Sequence, residues 1–123
     1  MQGRLFIDLE RELRSIPGEA ATRTRIGRLY YGVYLEYRQF CEEHLGFNRH
    51  RLAREHQAVK NLIAAIDPGA AAILQALRMA RNQADYDLDL DARAIDEILE
   101  ASLVSAMTLM SSLNDLRDRF TPA

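Results

Sequence analysis

Several groups of residues carry side chains capable of chemistry, and number and spacing exclude most of them. His44, His50 and His56 recur at six-residue steps. Six residues along a helix turn the side chain onto another face, whereas paired helical metal ligands need steps of three or four. Asp87, Asp89 and Asp91 alternate as in a calcium loop. However, Ala92 stands where the sharp turn requires Gly, and Ile98 where a bidentate Glu would close the site. Cys41 is the single cysteine, which excludes an intrachain disulfide and a cysteine zinc site. In the helical stretch Arg38-Gln39-Phe40-Cys41 it reads as a buried, inert thiol. There is no glycine-rich phosphate loop, and the serines of the last helical stretch have no histidine near them in sequence. Neither metal nor cofactor is expected.

Two segments remain. The first is Arg28-Leu29-Tyr30-Tyr31-Gly32-Val33-Tyr34, and the second is Leu77-Arg78-Met79-Ala80-Arg81-Asn82-Gln83-Ala84-Asp85-Tyr86-Asp87. Arg81 can hold a phosphate as a planar cation. Asp85 lies one helical turn on, shares its face and can pair with it. Tyr86 lies five residues on, about 140° around an ideal helix. A recess shared by Arg81 and Tyr86 therefore requires the helix to end or distort between them. Tyr30 reads as core. His56, on an apolar stripe, reads as a hydrogen-bonded core histidine.

Charge narrows the choice of partner. The net charge is −2, so the chain as a whole is no basic nucleic-acid binder. The distribution is uneven: residues 1–60 carry +3 and residues 61–123 carry −5. All but one of the sixteen basic residues are Arg, the exception being Lys60. At 48% hydrophobic and 28% charged, the 123 residues have the composition of one globular domain. No apolar run reaches the ~18 residues that span a bilayer. Asp8 and Glu10 follow the N-terminus too soon for a signal peptide, and a cytoplasmic location is expected.

The elements that must position these residues are all helical. Leu5, Phe6, Leu9 and Leu13 predict a first helix over about 3–16, closed by Pro17-Gly18. Ile26, Tyr30, Val33, Tyr37, Phe40 and Cys41 predict a long helix over about 19–45, ended by Gly46. Leu52, His56, Val59, Ile63 and Ile66 predict a third over about 49–66. Asp67 then caps a fourth, over about 68–85, that begins at Pro68 and packs antiparallel to the third. Ile73, Leu77, Ala80 and Ala84 carry it into the aspartate series, which opposes the dipole at a helix C-terminus. Asp91 caps a last helix, about 92–119, with Ile95, Leu99, Ser102, Ala106, Leu109, Leu113 and Leu116 inward. The fold class is all-α: one domain over residues 1–123, an up-and-down bundle of four to five helices. Its N-terminal helix and turn occupy 1–17 and its bundle core 19–119. The two long apolar helices favour a symmetric homodimer.

The order and separation of the two segments resembles the HEPN family of prokaryotic helical proteins. Arg28 to Tyr34 looks like that family's first core helix, His50 to Ile63 like its second, and Arg81 to Tyr86 like its signature segment. The likeness spans roughly residues 20–118. It implies a dimerising helical bundle, often a metal-independent ribonuclease toxin encoded beside a small nucleotidyltransferase antitoxin. The family signature is Arg, a polar residue, a short spacer and His. Arg81-Asn82 matches its start, and the His position falls on Tyr86. Metal-free RNA cleavage needs a base for the 2′-hydroxyl, an acid for the leaving oxygen and a cation on the phosphate. A tyrosine with a pKa of ~10 is a poor base at neutral pH, and loss of a general base costs ~10²–10⁴ in rate.

Three readings follow. In the first, the protein binds RNA or a nucleotide within a toxin–antitoxin or defence-type module. Arg81 holds a phosphate, Asn82 orients it, Asp85 positions Arg81, and Tyr86 hydrogen-bonds or stacks on a base. Arg78, Arg28 and Tyr31 are supporting residues in this reading, or Arg28 and Tyr31 line the dimer face. In the second, an active ribonuclease uses Arg81 and Tyr86, with His56 or a partner's group replacing the missing His. In the third, the chain is a non-catalytic dimerisation partner of a nucleotidyltransferase.

Overall fold

The computed structural model describes residues 2–49 and 53–121. Among them are five helices and no strand: α1 (Arg4–Leu13), α2 (Glu19–His44), α3 (Glu55–Ile66), α4 (Pro68–Tyr86) and α5 (Ala92–Phe120). Helix α2 is the axis of the bundle and packs against each of the other four. From Ile26 to Cys41 its buried side chains point in every direction, as expected of a helix enclosed by neighbours. Tyr37 is fully buried and satisfies its hydroxyl by donating to the Leu109 carbonyl of α5 at 2.6 Å. All seven inward positions expected of α5 are buried. No described helix is long and apolar enough to cross a membrane.

The joints follow local chemistry. The Asp67 carboxylate accepts from the Ala70 amide at 3.0 Å with Pro68 in the first turn. This one-residue joint folds α4 back along α3. Asp91 caps α5 in the same way, accepting from the Ala94 amide at 2.8 Å. Gly46 takes a positive φ of 70° after α2, a region glycine enters without steric cost. The Phe47 amide then returns to the Cys41 carbonyl.

Two elements depart from the sequence reading. Helix α1 does not bury its leucine stripe: Leu5 is 54% exposed and Leu9 37%. Its inward face runs instead through Gly3, Ile7 and Glu10, because a close crossing and an ion pair choose the face. A Cβ added at Gly32 would lie 2.7 Å from both the Gly3 carbonyl oxygen and Ile7 Cγ1, so the two helices meet backbone to backbone. The buried Glu10 carboxylate accepts from Arg25 on α2 at 3.0 Å and from Arg14 at 2.9 Å. Helix α3 begins at Glu55 rather than near residue 49. Of its expected stripe, Leu52 lies outside the described residues, as does His50. Glu55 is held by tertiary contacts to Tyr34 and Arg38 of α2, and these fix where the helix begins.

Helix α4 ends at Tyr86 beside the aspartates, and a cation answers the unfavourable dipole there. The Arg23 guanidinium reaches across from α2 and donates to the carbonyls of Ala84, Asp87 and Leu90 at 2.9, 3.0 and 3.1 Å. It thereby satisfies the Ala84 carbonyl in the last turn and ties the following loop down through Asp87 and Leu90.

Candidate functional site

One strip of α2 gathers the polar chemistry of the chain. Arg23, Gly27, Tyr30, Tyr34 and Arg38 recur at steps of three and four, and α3 and α4 close over them. The added Cβ position at Gly27 lies 4.0 Å from Arg81 Cγ and 3.9 Å from an Asp85 carboxylate oxygen. This sets the second sequence segment directly on the first. The Arg81 guanidinium turns inward and lies over the Tyr30 ring, 5.4 Å from its centroid. Its side chain is only 20% exposed, and its ion pair with Asp85 is long, at 3.7 Å.

Beside Arg81 stands His56, presented by the first turn of α3. Its ring stacks on Tyr34 with centroids 4.0 Å apart and 14° between planes, and more loosely on Tyr30 at 5.6 Å. A short hydrogen bond joins the Tyr30 hydroxyl to His56 Nδ1. Burial, then Arg78 and Arg81, hold the imidazole's pKa down at about 4, against a smaller upward pull from Glu55. His56 is therefore neutral at neutral pH. Tyr34 donates to Glu55 at 2.5 Å, and Arg38 donates to the same carboxylate at 2.9 Å. Burial raises both the Tyr30 and Tyr34 phenols well above their usual pKa, with Glu55 adding to the rise for Tyr34.

Most of the arginines are answered: Glu19 pairs with Arg23, Glu55 and Glu42 with Arg38, and Asp85 loosely with Arg81. Arg78 and Arg28 have no carboxylate partner among the described residues. The Nε atoms of Arg28, Arg38, Arg78 and Arg81 are all buried without a hydrogen-bond acceptor. A buried donor left unpaired costs about 1–3 kcal/mol, more when charged, so these arginines are held inward at a cost in stability. Arg28 packs on Phe6 of α1 at 5.4 Å. The same ring meets Tyr31, which is 39% exposed and turns its edge to Tyr34.

The residues singled out in the sequence thus do not all converge. Arg28 packs on Phe6 of α1, with Tyr31 on the same ring, while Arg81 and Arg78 border the cationic strip. Asn82 and Tyr86 do not. Helix α4 runs unbroken through Tyr86, so Arg81 and Tyr86 diverge as ideal helical geometry requires. Tyr86 is 75% exposed and lines a shallow surface hollow with Asn82, Gln83 and Asp87. The recess expected between the Arg81 guanidinium and the Tyr86 phenol does not form within the chain. Tyr30 and His56 stand by Arg81 instead.

Tyr34, Arg38, Glu55 and Arg23 were not singled out. Their only sequence signal is the four-residue recurrence of Tyr30, Tyr34 and Arg38, which reads equally well as core. Cys41 is fully buried, and burial pushes its thiol up to about 12. Comparison with family models, curated proteins and solved structures finds no match to this chain.

Proposed function

We propose that this protein binds single-stranded RNA or a nucleotide through the cationic strip of α2 and α4, as an HEPN-type component of a prokaryotic toxin–antitoxin or defence-type module. The observation that carries this reading is the pair of half-buried arginines, Arg78 and Arg81, that face one imidazole and share a single long carboxylate contact, from Asp85 to Arg81. A phosphodiester offers only acceptors and a negative charge, and Arg binds it in a planar fork. Arg81 takes the phosphate between Tyr30 and Asp85, and Arg78 supports it. Exposed Tyr31 is better placed than Tyr86 to stack on a base, since Asp85, Asp87, Asp89 and Asp91 surround Tyr86 in sequence and repel a polyanion. The HEPN assignment and a nucleotidyltransferase partner rest on the sequence resemblance, and a homodimeric assembly rests on it together with the two long apolar helices.

The place of His56 beside Arg81 favours a rival reading, a metal-independent ribonuclease in which His56 stands in for the missing signature histidine. One experiment separates the two. A labelled oligoribonucleotide is incubated with the pure protein and with Arg81→Ala. Binding without cleavage, lost in the variant, supports the proposal. Cleavage that disappears in the variant supports the ribonuclease, and no binding at all removes both.

A further inference from the structure

We propose that His56 is the neutral third donor of the anion site, presenting its Nε2–H to a phosphate held by Arg78 and Arg81, with Tyr30 fixing that tautomer. The inference rests on the anion-binding reading above and adds a residue, a protonation state and a pH dependence to it.

The tautomer follows from the bonding around Tyr30. Its phenol is 1% exposed and stays protonated, so its hydrogen needs an acceptor. The bond to His56 Nδ1 is the one it makes among the described residues. Tyr30 therefore donates, Nδ1 accepts, and the ring's remaining hydrogen is on Nε2. No described residue accepts from Nε2, and the ring is only half-buried. Stacking on Tyr34 at 4.0 Å holds the ring plane. The result is a fixed, uncharged donor beside two guanidinium groups, a set that matches the several acceptor oxygens of a phosphate. In this tautomer Nε2 already carries its hydrogen and is no base for a 2′-hydroxyl.

The proton balance gives the arrangement a readout. The charged groups and phenols facing His56 are Tyr30, Tyr34 and Arg38 from α2, Glu55 from α3, and Arg78 and Arg81 from α4. A bound phosphate offsets the two arginines that disfavour the imidazolium, so the imidazole's pKa rises from about 4 when the site fills. By linkage, phosphate binds more tightly as pH falls toward that range. The added proton goes to Nδ1, which then donates to the Tyr30 oxygen in place of accepting from it. This reversal, together with burial, keeps the bound pKa below that of a free histidine.

The test is nitrogen NMR of the His56 side chain in the whole protein, free and then saturated with a single-stranded oligoribonucleotide or with inorganic phosphate. The free protein should show the Nε2–H tautomer, and either probe should shift Nε2 and raise the titration midpoint. His56→Leu should bind the oligoribonucleotide about tenfold more weakly. His56→Gln retains an acceptor for Tyr30 and a donor for phosphate, so it should recover binding without the pH dependence. An Nδ1–H tautomer in the free protein overturns the inference. So do His56 signals that ignore an oligoribonucleotide bound in an Arg81-dependent way, an outcome that leaves the RNA-binding reading standing. Failure of both probes to bind overturns both.

Discussion

Lowering the pH from neutrality should loosen this fold through His56 well before its carboxylates are fully protonated. The unfolded chain holds this imidazole near its ordinary 6.5, whereas the folded protein holds it near 4. The folded value is the depressed one, so as pH falls the unfolded state takes up the proton first. The stabilisation is complete above about 6.5 and is lost progressively as pH falls toward about 4. Integrating that difference from about pH 7 to about pH 5 gives a loss of about 2 kcal/mol, a large share of the 5–15 kcal/mol typical of a small domain. Urea unfolding across this range, with His56→Gln as a non-titrating control, isolates the histidine from the carboxylates that both proteins share. Wild-type stability should fall about 2 kcal/mol further than the variant's over that window. Parallel pH profiles would refute the reasoning and mean that His56 is as free to protonate in the folded state as in the unfolded one.

Two further outcomes follow from contacts that hold the site in place. Gly32→Ala puts a methyl group 2.7 Å from the Gly3 carbonyl oxygen and from Ile7. It should cost about 1–3 kcal/mol in chemical denaturation and speed proteolysis within α1, while a variant with unchanged stability would mean that α1 shifts freely. Arg23→Ala strips the cation from the carbonyls of Ala84, Asp87 and Leu90. It should cost about 1.5–3 kcal/mol, with amide hydrogen exchange rising locally at residues 84–91 and exchange elsewhere little changed.

Local chemistry was the part of the fold most legible in the sequence. Asp67 and Asp91 cap helices because a carboxylate three residues before an unpaired amide has one obvious use. Gly46 turns the chain because few other residues tolerate its φ. The inward face of α5 could be read because a long, one-sided apolar stripe has a single way to be buried. Helix α1 shows where that logic stops. Its leucines offered an equally regular face, but the Gly3–Gly32 crossing and the buried Glu10 ion pairs outweighed them, and both depend on a partner helix invisible in local spacing. The start of α3 was misplaced for a similar reason, since Glu55 is held by Tyr34 and Arg38 across the bundle.

The site was half legible. Arg81, Arg78 and Arg28 could be named from type and position, and Asp85 from its four-residue step. The Tyr30 ring beneath Arg81 could not, because the aspartates pointed to a distorted helix end that would turn Tyr86 toward Arg81. The helix in fact stays regular to its end at Tyr86, where Arg23 supplies the opposing charge. Tyr30 read as core, and it is core. Its hydroxyl nevertheless reaches His56, an alignment that depends on how α3 crosses α2.

The most direct test of the central claim is the salt dependence of single-stranded RNA binding by the wild-type protein, Arg78→Ala and Arg81→Ala. If the Arg78 and Arg81 guanidinium groups hold phosphates, affinity falls steeply with salt, and each variant both binds more weakly and loses about 0.7 from the slope of log affinity against log salt. Equal affinities and equal slopes in all three proteins would contradict the claim and leave the cationic strip without a nucleic-acid ligand.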